Sequence, residues 1–89
     1  MLRRLGEFAE ARDLLRKALA SDQQSFPQGH PHIATDQANL ARVLHDLGES
    51  TEARDLMEKA YTATLASLGP DHRHTKSRLR FLDALSKEP

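Results

Sequence analysis

Apolar residues recur at intervals of three and four along almost the whole chain, the spacing of one face of an α-helix. Between Glu7 and Phe26, the series Phe8, Ala11, Leu14, Leu15, Ala18 and Leu19 predicts one apolar stripe on a helix of about 30 Å. Pro27 and Gly29 stop it. Pro31 suits the first turn of a second helix, where its missing N–H is not needed. That helix is predicted to run to Leu47 with Ile33, Leu40, Val43, Leu44 and Leu47 inward, closed by Gly48. A third helix is expected to start at Ser50 or Thr51, whose hydroxyls can cap it. It should reach Leu68 with Ala53, Leu56, Met57, Ala60, Tyr61 and Leu65 inward. Gly69 and Pro70 break the chain again, and Asp71 is the expected cap of a fourth helix ending near Ser86. The links alternate between a tight turn and a longer loop. The pattern predicts an all-α fold of four helices stacked as antiparallel pairs.

The chain also repeats itself. Leu5 to Ala20, "LGEFAEARDLLRKALA", returns at an offset of 42 as Leu47 to Thr62, "LGESTEARDLMEKAYT", with ten of sixteen positions identical. Chance in a chain of this composition would give about one or two. In the same register His30 meets His72, His32 meets His74, and Leu40 meets Leu82. The histidine pairs "GHPH" and "DHRH" therefore hold one place in two copies of a structural unit.

A helix pair per unit, glycine at the inner turn and small alanines at Ala11 and Ala18 or Ala53 and Ala60 resemble the tetratricopeptide repeat. The long period and the stretch "LGPDHRHT" are similar to the kinesin light chain type of that repeat, and the resemblance covers nearly the whole chain. It implies an antiparallel helix-pair solenoid. The units would be a half repeat over 1–29, a complete repeat over 30–69 and a half repeat over 70–89. Where the family favours aromatic residues this chain has Gln37, Leu44 and, after the inner turn, Ser50 in place of Phe8, so looser packing is expected in the second copy. With both ends on half repeats, Leu79, Leu82 and Leu85 of the last helix are expected to lack a covering neighbour. A homodimer, or a place within a longer array, would cover them.

In such arrays the first helix of each pair lines a concave groove. The resemblance then places Thr35, Ala38, Asn39, Arg42 and His45 toward the groove, with Ser77, Arg80, Phe81, Ala84 and Lys87 from the last helix and Arg3 from the truncated first unit. Those residues share a helix face, because they fall at spacings of three and four. The strip is basic. Guanidinium groups take carboxylates bidentately, and Asn39 matches a family asparagine that hydrogen-bonds a peptide backbone, so an acidic peptide segment is the implied ligand.

Composition narrows the alternatives. Thirteen Lys and Arg balance thirteen Asp and Glu, and the face offers only Phe81 for stacking on bases, so nucleic acid is not an expected partner. Apolar runs are too short to cross a bilayer, and with no export signal a cytoplasmic location is the default. The absence of cysteine excludes disulfides and thiolate sites. No nucleophile elbow or phosphate loop appears, so an enzyme is not expected, and no cofactor is implied. One alternative of another class remains: His30, His32, His72 and His74 could bind zinc or nickel if stacking brought their loops together, with Asp36 one turn beyond His32.

Overall fold

A computed structural model describes residues 2–87, with side chains described from residue 6 onward. Four helices follow one another: α1 (Leu2–Ser25), α2 (Pro31–Asp46), α3 (Ser50–Leu68) and α4 (Arg73–Ser86). Each packs on the next, most extensively α2 on α3. The molecule measures 39 × 33 × 19 Å, and 19 Å is the thickness of two helix layers spaced about 8–10 Å apart.

The α2–α3 turn shows why the glycine is needed. Gly48 sits at φ 85°, the left-handed region; its N–H donates to the His45 carbonyl at 3.0 Å, and the Glu49 N–H donates to the Leu44 carbonyl at 2.8 Å. This pair of bonds satisfies the last carbonyls of α2 and turns the chain back. The corresponding turn expected at Gly6 does not form, since α1 runs straight through it.

Alanine lets the helices close up. Ala34, Ala38, Ala41, Ala53 and Ala60 are at most 2% exposed, and between them Leu44 and Met57 are fully buried. Each of those two large side chains contributes about 1.5–3 kcal/mol by leaving water. Leu19, Ile33 and Leu40 complete this core, with Leu15, Phe26, Leu56, Phe81 and Leu82 packed against it. The second copy is therefore the tighter one, against expectation. α3 lies between α2 and α4, whereas α1 has only α2 for extensive packing, so Phe8 is half-buried and Leu14 is 60% exposed.

The last helix is better covered than its pattern suggests. Leu85 is 3% exposed and Leu82 packs on the core; Leu79 alone of the three is left open, at 42%. Arg54 on α3 donates to the Leu85 carbonyl at 3.2 Å, placing a cation at the C-terminal end of α4 where the helix dipole favours it. The surface ion pairs tie helices together as well as neighbours: Arg16 of α1 joins Glu52 of α3 at 3.0 Å, and Arg12 contacts Asp13 at 3.2 Å and Glu49 at 3.9 Å. Among the described residues no helix is long and apolar enough to cross a membrane.

Candidate functional site

α2 and α4, both following a Gly-containing loop, present the residues expected to line a groove. Arg42 joins the two helices: Nη1 donates to Asn39 Oδ1 at 3.4 Å, and Nη2 reaches across to Ser77 Oγ at 3.5 Å. Both bonds are long and exposed, so the guanidinium stays available to a stronger acceptor. One turn further on, the His45 ring meets Phe81 edge to face at 5.5 Å between centroids. Five expected groove residues, Asn39, Arg42, His45, Ser77 and Phe81, thus form one continuous α2–α4 contact. Thr35 and Arg80 are exposed on the same helices. Ala38 is not a groove residue, being 1% exposed within the core. Arg3 belongs to α1 rather than to a preceding first helix, and its side chain lies outside the described residues.

The histidine pairs have a structural role. His30 is the N-cap of α2 and His72 the N-cap of α4; their Nδ1 atoms accept from the backbone N–H of His32 at 3.1 Å and of His74 at 3.0 Å. This satisfies one of the free donors at each helix start and takes the place expected for Asp71. Within each pair the rings lie 5.0 Å apart, and Phe26 stacks on His30 at 4.2 Å. Among the described residues no three His, Asp or Glu side chains converge as a metal site. His30 and His72 are each spent on their own helix start, while His32 and His74 border one cavity without a third ligand beside them among the described residues.

One buried position was missed by sequence reasoning. Asp36 and Arg78 occupy the same register, and so do Asp22 and Thr64. Between α1 and α2, burial together with a hydrogen bond and repulsion from Asp22 pushes the Asp36 carboxyl up to about 6, against a smaller opposing pull from His32. Between α3 and α4, Arg78 donates to Thr64 Oγ1 and is 7% exposed. The signal available in sequence was the reversal of charge between equivalent positions. A cavity of about 760 Å³ lies elsewhere, as an open trough bordered by Gln23 of α1, Gln37 of α2 and Glu58 and Lys59 of α3. It is broad, lined by apolar Ile33, Ala63 and Ala66 as well as by the polar residues, and it brings none of the expected groove residues together.

The tetratricopeptide repeat model matches residues 1–66, which is well over half of the chain and spans α1, α2 and most of α3. The chain belongs to the tetratricopeptide repeat family. Comparison with curated proteins and with solved structures returned no match. In this tetratricopeptide repeat protein α4 lies beyond the matched residues, yet it continues the 42-residue register through His72, His74 and Leu82. Tetratricopeptide repeats serve in general as protein-interaction modules, and the family is typically non-enzymatic.

Proposed function

We propose that this chain is a protein-interaction module whose α2–α4 face takes an acidic peptide segment of a partner. The observation that carries the reading is the position of Arg42. It spans α2 and α4 through two long hydrogen bonds to Asn39 and Ser77, and no carboxylate of the chain pairs with it among the described residues. A carboxylate arriving from a ligand would replace two weak neutral bonds with a charge-assisted pair. Asn39 is placed to hydrogen-bond the peptide backbone, Arg80 supplies a second charge, and the His45–Phe81 pair offers an apolar wall.

The kinesin light chain type of repeat fits the same reading: the units are a half repeat over 1–29, a complete repeat over 30–69 and a half repeat over 70–89. Leu14 and Leu79 mark edges on which a second copy, or the next helix pair of a longer array, would seat. Either would lengthen a groove that two first helices leave short, raising affinity above the micromolar range expected of so few contacts. The partner would be met in the cytoplasm.

Replacing Arg42 and Arg80 together by Glu tests the groove. Fluorescence anisotropy with a labelled Glu-rich peptide is expected to show binding lost by at least about tenfold, or 1.4 kcal/mol, with the melting temperature nearly unchanged. Binding that survived the double substitution at physiological salt would refute the assignment.

A further inference from the structure

A second cavity, of about 240 Å³, opens where the N-terminal turns of α2 and α4 meet the C-terminal end of α3. Its wall includes His32 and Thr35 of α2, Thr64 and Ser67 of α3, and His74 and Arg78 of α4. At about 30 Å³ per water, it has room for a small anion with part of its hydration shell.

Arg78 is the unusual member. It is more than nine-tenths buried, and among the described residues its hydrogen bond is from Nη1 to Thr64 Oγ1. Thr64 in turn donates its hydroxyl proton to the Ala60 carbonyl at 2.6 Å, so toward Arg78 it acts as an acceptor that fixes the guanidinium plane. No carboxylate neutralises the charge: the ion pairs of the described residues involve only Arg12 and Arg16. The neighbouring charges are of the same sign. Desolvation and then Arg42 lower the pKa of Arg78, and His74 is held below its ordinary range by desolvation, then by Arg78, His72, Arg73 and Arg42.

A buried guanidinium without a counter-charge is costly, and four of its five N–H donors have no partner among the described residues. Packing does not demand it. The equivalent position in the other copy is Asp36 facing Asp22, so the repeat accommodates an acid there as well as a base.

We propose that this cavity is a receptor for a single oxyanion, a carboxylate or phosphate group of a ligand, held by the Arg78 fork, the Thr35 hydroxyl and the positive field of Arg42, while the Ser67 hydroxyl is spent on the Ala63 carbonyl at 2.9 Å. The site lies beside the groove and stands whether or not the groove takes an acidic peptide.

The test is a pair of NMR titrations of the whole chain, one with inorganic phosphate and one with sodium acetate, each at constant ionic strength set with chloride. Saturable shifts are expected at Thr64, Ser67, His74 and Arg78 with millimolar affinity, lost in Arg78→Met and retained in Arg80→Glu, which alters only the groove. Tighter binding of phosphate would assign the site to a phosphoryl group, and equal response to acetate would assign it to a carboxylate. Should Arg78→Met not fold, Arg78→Lys keeps the charge without the fork and should weaken binding about tenfold. Drifts that never saturate with either anion, or saturable shifts unchanged by both Arg78 substitutions, would overturn the proposal.

Discussion

At the residue scale, one register position carries opposite charge in the two copies, and each residue answers to its own neighbour. Asp36 faces Asp22 and its carboxyl is pushed up to about 6, whereas Arg78 meets the hydroxyl of Thr64. For Asp36 the consequence is a penalty at neutral pH. Below its ordinary value of 3.8 both folded and unfolded chains hold the proton and nothing is lost. As pH rises from 3.8 to about 6 the unfolded chain releases its proton first, so stability falls, and above 6 the full penalty remains. Discounted for partial exposure, that penalty is about 2 kcal/mol. Asp36→Asn should therefore raise the melting temperature at pH 7 and leave it nearly unchanged at pH 4; thermal denaturation at both values checks this. A gain of equal size at pH 4 would show that the carboxylate pair is not its cause. The charge reversal was legible once the two copies were aligned. The burial was not, because an isolated charged residue on an amphipathic helix reads as its solvent face.

The helices themselves were legible because stripe, glycine and proline signals agreed, and all four C-terminal ends fell within one residue of where those signals pointed. What periodicity does not carry is the neighbour. Leu14 and Leu56 are equivalent positions, yet Leu14 is 60% exposed while Leu56 packs on the core. Leu15 and Met57 form a similar pair, with Met57 fully buried. Met57→Ala should accordingly cost about 3 kcal/mol, and Leu14→Ala less than about 0.5 kcal/mol, by denaturant titration. Comparable losses at the two sites would mean that α1 is covered in solution. The fourth helix start shows a different limit: Asp71 has the better capping chemistry by composition, but His72 is the residue whose extended backbone and Nδ1 meet the His74 N–H. Cap choice depends on backbone geometry one residue at a time.

On the scale of the whole molecule, a neutral 89-residue chain forms a thin, two-layered slab, with the guanidinium groups of Arg42 and Arg78 and the imidazole of His74 gathered near the α2–α4 junction. The groove expectation came from the family resemblance and not from spacing alone. The structure sorts its members: Asn39, Arg42, His45, Ser77 and Phe81 come together, while Ala38 turns into the core. The central claim is that this face, rather than the larger trough bordered by α1 and α3, receives the acidic peptide. The most direct measurement is amide chemical-shift mapping during titration with a Glu-rich peptide. Saturating shifts clustered at Asn39, Arg42, His45, Ser77 and Phe81 are the predicted result. Shifts confined to Gln23, Gln37, Glu58 and Lys59 would contradict it, placing the ligand in the trough.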